Sequence, residues 1–211
     1  HPDNMCINSA SDKLGKLTLL GFGKARVLAD DNNTCRRGKN PYMALEMQIE
    51  WTETYDEKVD IWSMSTILCE LLTGVPLFDH NERNVLKAMI RFCGEVDVAV
   101  INKMARKEDR ECFTKESKDL ERFDFVHLIK QRAYGRRGIT DEDIGKELHL
   151  KDFIDRTLQF NPRRRMSAHL AVGHPFLTNS VIPIEFPLPT QEDDGIDACR
   201  KCIWDVIKGS R

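Results

Sequence analysis

Residues 59–78 read VDIWSMSTILCELLTGVPLF, and the apolar positions Val59, Ile61, Trp62, Met64, Ile67, Leu68, Cys69, Leu71 and Leu72 fall on several faces of a 3.6-residue wheel. This pattern predicts a helix buried on most sides, the central post of a globular core. Gly74 and Pro76 are placed to stop it. At its start Thr54 and Glu57 have the spacing of a capping box, with Asp56 as a rival cap. Upstream, residues 5–8 and 17–20 are short apolar runs joined by a polar, turn-rich stretch, which predicts a small hairpin. Residues 24–42 have no apolar period and predict an exposed loop.

Downstream, Val85, Leu86, Met89, Ile90 and Cys93 recur at helical spacing and predict an amphipathic helix over 81–93, closed by Gly94. In residues 95–132 two short apolar sets, Val98, Val100, Ile101 and Met104 and then residues 123–129, alternate with dense charge, as in short surface helices. A flexible loop is expected at 134–143. Another helix is expected over 150–160, ended by Asn161 and Pro162, and then a short one capped by Ser167 and terminated at His174 and Pro175. Three prolines in residues 182–189 predict an extended stretch, and Ile196, Cys199, Ile203, Trp204 and Ile207 predict a final amphipathic helix.

Composition narrows the function classes. The 211 residues suit one domain or one large lobe, and 32 Lys and Arg against 34 Asp and Glu leave a net charge of −2. No global field therefore draws the chain to nucleic acid or to anionic lipid. No apolar run reaches the length of a membrane span, and no signal-peptide pattern opens the chain, so cytoplasm and/or nucleus is the expected location. Seven scattered cysteines, an odd number, read as reduced core residues rather than a disulfide framework. The chain begins at His1 rather than Met, and further residues are expected upstream.

Several short patterns invite chemistry and do not carry it. Gly21-Phe22-Gly23-Lys24 follows a strand like a phosphate loop, but Arg26 stands where a dinucleotide fingerprint has its third glycine, and the P-loop Lys-Ser/Thr pair is missing. Cys199 and Cys202 form a lone CxxC one helical turn apart, which reads as packing. Arg163-Arg164-Arg165 reads as a solvated helix start, with one exception given below. Asn32-Asn33-Thr34 matches a glycosylation sequon that an intracellular chain leaves unused.

Taken in order, His1-Pro2-Asp3-Asn4, Leu19-Leu20-Gly21-Phe22-Gly23, Ala44-Leu45-Glu46, Asp60-Ile61-Trp62-Ser63 and Asn161-Pro162-Arg163-Arg164-Arg165 resemble the C-terminal lobe of a eukaryotic protein kinase. The wording LLTGVPLF, the charged insert after Gly94 and the C-terminal IDACRKCIWDVI look most like the MAP kinase branch. The resemblance implies a mainly α protein-kinase-like C-lobe, within an α+β superfamily, with one small β-hairpin. It implies a partial kinase domain over 1–177, an activation segment at about 21–46, and a MAP kinase-type C-terminal extension over 178–211 that packs on the lobe.

The departures bear on activity. Phosphoryl transfer in this family takes a catalytic Asp, an Asp that holds magnesium, and an N-lobe lysine with its glutamate partner. By the resemblance the first would lie five residues before Asn4, upstream of His1, and the N-lobe is absent from the sequence. The metal-binding Asp is replaced by Gly21, and Asn4 is the vestigial magnesium position. His1 stands where the loop lysine is usual. No intact catalytic residue, no retained ATP or magnesium and a pseudokinase-like function through protein binding are thus expected, with an active Ser/Thr kinase whose remaining parts lie upstream as the alternative.

The structural markers are better kept. Glu46 matches a glutamate that family members pair with an arginine matching Arg165 in a buried bridge, Leu45 replacing the usual proline between. Asp60 resembles the residue that fixes the catalytic-loop backbone, and Trp62 the tryptophan of the central helix. Thr34 is the one hydroxyl between Lys24 and Pro41, a candidate phosphosite beside Arg36 and Arg37. The family's acidic docking patch falls on the uncharged residues 178–183, with Glu192, Asp193 and Asp194 a little downstream. Expected partners are other signalling proteins, not nucleic acid or membrane; oligomeric state is not written in these residues.

Overall fold

The computed structural model describes residues 1–8, 16–26, 40–78, 82–119 and 148–178. They form a mainly helical lobe with one two-stranded sheet, β1 (Met5–Asn8) and β2 (Lys16–Leu19), paired antiparallel with Met5 opposite Leu19 and Ile7 opposite Leu17. The helices are α1 (Leu45–Gln48), α2 (Lys58–Thr73), α3 (Glu82–Cys93), α4 (Val98–Ile101), α5 (Lys107–Asp119), α6 (Leu148–Thr157), α7 (Ala168–Val172) and α8 (Pro175–Thr178). Short 3-10 turns occupy Pro2–Asn4, Phe22–Lys24 and Asn40–Tyr42.

Helix α2 is the post around which the core is built. Ile61, Trp62, Ser65, Thr66, Ile67, Cys69, Leu72 and Thr73 are buried, and only a strip bearing Asp60 and Met64 faces out. Its buried hydroxyls bond carbonyls of their own helix, Ser65 Oγ to Ile61 O at 3.0 Å and Thr73 Oγ1 to Cys69 O at 2.8 Å, so they sit in the core without an unmet polar group. Gly74 stops the helix at φ 79°, a left-handed conformation, with its N–H donating to Glu70 O at 2.6 Å.

The start of α2 differs from its sequence pattern. The expected capping box of Thr54 and Glu57 is not formed: the helix begins at Lys58, Glu57 precedes it without a side-chain cap, and Asp56 Oδ1 accepts the Lys58 N–H at 3.0 Å. Tertiary contacts set this boundary, because Lys58 Nζ donates to Pro162 O at 2.9 Å and Lys58 O accepts from Arg165.

Around α2 pack Val85, Met89 and Ile90 of α3, Phe113 of α5, and Leu150, Phe153 and Ile154 of α6, followed by Leu158 and Phe160. Helix α6 ends at Thr157, earlier than expected, and Phe160 reaches the core from the turn beyond it. In 95–104 Val100 and Met104 are buried while Val98 is 68% exposed, since Asp97 caps α4 by accepting the Ala99 N–H and turns Val98 outward. Residues 50–52 bond back to 103–105 (Thr52 N–H to Lys103 O, 2.9 Å; Ala105 N–H to Glu50 O, 2.8 Å). Ser167 caps α7, its Oγ accepting the Leu170 N–H at 3.4 Å, and Pro175 opens α8 rather than ending the helical region.

His174 anchors this end. Its Nδ1 accepts the Phe176 N–H at 3.2 Å, which leaves the ring proton on Nε2 to be donated to Asp152 Oδ2 at 2.9 Å. Hydrogen bonds from Arg156 and then His174 hold the Asp152 carboxyl below its ordinary value. The expected exposed loop is corrected at its end: Pro41 and Tyr42 are buried, because the Tyr42 hydroxyl reaches Glu70 Oε2 at 2.7 Å and Ser63 Oγ donates to Tyr42 O at 2.8 Å. Residues 21–26 are exposed. Thr34, Arg36 and Arg37, the apolar set at 123–129, the loop at 134–143, the proline-rich stretch, the last helix with Cys199 and Cys202, and Glu192 to Asp194 lie outside the described residues. No helix among the described residues is long and apolar enough to cross a membrane.

Candidate functional site

The hairpin brings Asn4 and Gly21 together. Asn4 closes the first 3-10 turn, with its N–H on His1 O at 3.0 Å, and its carbonyl accepts the Leu20 N–H at 2.8 Å, which extends the β1–β2 ladder by one pair. The next residue, Gly21, has φ 78° and ψ 32°. A Cβ at position 21 would lie 2.7 Å from both Asn4 Nδ2 and Oδ1 and 2.8 Å from Asn4 Cγ. The Asn4 amide thus closes over a glycine that has no side chain to resist it.

The first residue also lies near Tyr42, which is bonded to α2 through Glu70 and Ser63. The His1 and Tyr42 rings are 6.5 Å apart. Asp60 is exposed as a residue, yet the protein around its carboxyl raises its pKa by desolvation. No hydrogen bond reaches this carboxylate among the described residues. Burial, and then the hydrogen bond to Glu70, push the Tyr42 phenol well above its ordinary pKa.

A second cluster lies deep in the core. Helix α1 is a single turn with all four residues buried, and its Glu46 meets Arg165, 119 residues away, in a two-pronged ion pair: Nη1 to Oε1 at 2.7 Å and Nη2 to Oε2 at 3.1 Å. Their side chains are 1% and 0% exposed. The remaining guanidinium donors go to Lys58 O (2.9 Å, from Nη1) and to Gln159 O (3.1 Å from Nε, 2.9 Å from Nη2), so all five N–H groups are used. The guanidinium also sits 5.1 Å from the Trp62 ring centre, and Trp62 is stacked between Phe78 and Phe160, each at 6.0 Å. Trp62 Nε1 is buried without a hydrogen-bond partner among the described residues.

Two contributions were hidden from sequence reading. Lys58 and Gln159 act through backbone carbonyls, which no residue type signals. A cleft of about 630 Å³ opens beside Glu46, between Trp51, Tyr55 and Val100, with Lys103 and Arg163 at its rim. Both cations face Glu53, which Lys103 bonds directly and Arg163 approaches at 3.8 Å. A lone tryptophan in the polar stretch 50–58 is the one sequence mark of that cleft.

Residues 1–177 match the model of the protein kinase domain. The chain belongs to the protein kinase family. Among curated proteins it is 28% identical over 194 residues to mitogen-activated protein kinase HOG1A of Wallemia ichthyophaga, covering 92% of this chain and 47% of that protein. It is 29% identical over 199 residues to HOG1 of Wallemia sebi (92% and 62%) and 28% identical over 216 residues to mitogen-activated protein kinase pmk-1 of Caenorhabditis elegans (98% and 51%). The kinase region described here is MAP kinase-like, and it spans 47% to 62% of the length of these relatives.

In a protein kinase the two magnesium positions are an aspartate opening the activation segment and an asparagine of the catalytic loop. By the motif resemblance given above, Gly21 and Asn4 would stand at these places. Mg²⁺ takes oxygen ligands in a near-octahedral shell and is held through carboxylates and substrate phosphates. Gly21 offers no side-chain ligand, and the neutral Asn4 amide is packed onto it. The residues present do not fit a kinase magnesium site.

Proposed function

We propose that this chain is a MAP kinase-like domain region that does not transfer phosphate and works by holding other signalling proteins. The observation that carries this reading is Gly21 in the place of a metal-binding aspartate, with Asn4 closed over it. Without a carboxylate there, the phosphate charge that builds up in transfer has no magnesium held against it. Neither magnesium nor ATP is then a retained cofactor. The kept scaffold, from Trp62 to the Glu46–Arg165 bridge, supports a domain selected to fold and bind. Its partners would be proteins rather than nucleic acid or membrane, met in the cytoplasm and/or nucleus.

The test is transfer of radiolabelled phosphate from Mg·ATP to a general protein substrate, using the protein with its native upstream sequence. Incorporation should equal that of an Asn4→Ala variant. Incorporation clearly above it would overturn the proposal. It would favour instead the C-terminal part of an active Ser/Thr kinase, a reading that the names of the relatives and the partial coverage of their length support.

A further inference from the structure

We infer that Thr54 is a phosphorylation site, modified by a Ser/Thr protein kinase that reads acidic residues after its target, and that Lys103 and Arg163 hold the phosphate once it is there. In the sequence Thr54 and Glu57 have the spacing of a capping box, but the structure leaves this hydroxyl unused. The start of α2 is served instead by Asp56 and Glu57. Asp56 Oδ1 accepts the Lys58 N–H, Asp56 O the Val59 N–H at 3.3 Å and Glu57 O the Asp60 N–H at 3.1 Å. Thr54 is exposed, and its side chain has no hydrogen bond among the described residues. Residues 54–56 belong to no helix or strand, while the chain before them is tied to the end of α4 through Glu50 and Thr52. A modifying enzyme thus meets a short non-helical stretch, fixed on either side, with a free hydroxyl at its start.

Charge selects both the enzyme and the outcome. Glu53 precedes Thr54, and Asp56 and Glu57 follow it by two and three residues, so the enzyme that fits is one with a basic peptide groove. That enzyme holds the ATP. The Thr54 oxygen attacks the γ-phosphorus, the bond from that phosphorus to the bridging oxygen breaks, ADP leaves, and the hydroxyl proton passes to the enzyme's base. Thr54 lines the cleft beside α4 together with Lys103 and Arg163. These two cations already converge on the neighbouring Glu53, Lys103 through a direct bond and Arg163 at 3.8 Å. A phosphothreonine brings about −1.5 to −2 charges and three strong acceptor oxygens, more than the Glu53 carboxylate offers, and so draws both cations to itself. Lys103 follows α4 and Arg163 lies in the turn after α6, so the phosphate fastens the segment 50–57 across the mouth of the cleft.

The experiment treats the full protein with Mg·ATP and a Ser/Thr kinase of acidic preference, and maps the phosphate by mass spectrometry. Phosphate should be found on Thr54 of the folded wild type, and Glu57→Gln should slow its incorporation there several-fold. No phosphate on Thr54, or an unchanged rate in Glu57→Gln, would overturn the inference. Phosphorus NMR of the modified protein reads the two cations. The second ionisation of the phosphate should fall about half a pH unit lower in the folded protein than in urea, and Lys103→Met with Arg163→Met should remove that difference. Should this pair of substitutions prevent folding, about 1 M NaCl must shrink the difference instead. An equal ionisation in the folded and unfolded protein would overturn the role given to Lys103 and Arg163.

Discussion

The Arg165 cluster on one side, and the Asn4–Gly21 pair and the Asp60 carboxylate on the other, lie in one lobe and have opposite characters. Around Arg165 every guanidinium hydrogen has an acceptor and the ion pair is closed to water. By contrast, Asp60 has a carboxylate without a hydrogen bond among the described residues, and Asn4 rests on a bare glycine backbone. The first arrangement ties together α1, the first residue of α2 and the turns after α6, so its value is structural and independent of any reaction. The second is made of groups whose usual value lies in what they bind. The difference teaches that the contacts tying α1, α2 and the turns after α6 together involve neither Asn4 and Gly21 nor the Asp60 carboxylate.

The hardest blow to this contrast falls on the bridge. Arg165→Ala leaves Glu46 buried and uncompensated and should cost about 3–5 kcal/mol. That is a fall in Tm of roughly 10 °C at about 2–4 °C per kcal/mol for a chain of this size; an unchanged melting curve would refute the stabilising role assigned to the pair. Replacing both partners together, Glu46→Leu with Arg165→Met, should cost less than Arg165→Ala alone, since no charge is left buried. A larger loss in the double variant would show that the contacts to Lys58 and Gln159, rather than the pairing, carry the stability.

Tyr42→Phe comes next. It removes one hydrogen bond to a carboxylate and should cost about 1–2 kcal/mol by chemical denaturation, while leaving the Arg165 cluster unaffected. The smallest effects are at two carboxylates and differ in sign. Asp152, held low by Arg156 and His174, contributes stability above its unfolded pKa that is lost as pH falls through the folded value. Asp152→Asn should therefore destabilise at neutral pH and flatten the acid side of the stability curve, below about pH 4. Asp60 is raised instead, so its ionised form works against folding at neutral pH and its penalty disappears on acidification. Asp60→Asn should leave stability unchanged or raise it by up to roughly 0.5 kcal/mol. A clear loss would mean that the Asp60 carboxylate has partners of its own and would weaken the contrast with Arg165.

Much of this was legible in the chain because it depends on local pattern. The all-round apolar wheel of residues 59–72 is a buried helix, Gly74 and Gly94 end helices with positive φ, and the two short apolar runs pair as a hairpin. Exposure was less legible. Val98 has the same side chain as Val100 two residues on, yet the first is 68% exposed and the second 1%. Tyr42 reads as loop and is buried by a glutamate 28 residues away. The capping pattern of Thr54 and Glu57 loses to contacts from Pro162 and Arg165, which start α2 elsewhere.

The candidate site divides in the same way. Asn4, Gly21, Glu46 and Arg165 were named from motif order, and motif order says nothing of where an amide points or which carbonyls complete a guanidinium shell. Hydrophobic period, glycine stops and strand pairing are written along the chain, since each depends on neighbours a few residues apart. Arg163, Arg164 and Arg165 show the limit. Their side chains are 82%, 68% and 0% exposed, although the three are chemically identical and adjacent. Only the packed structure, which sets Glu46, Lys58 O, Gln159 O and the Trp62 face around one of them, decides which arginine belongs to the core.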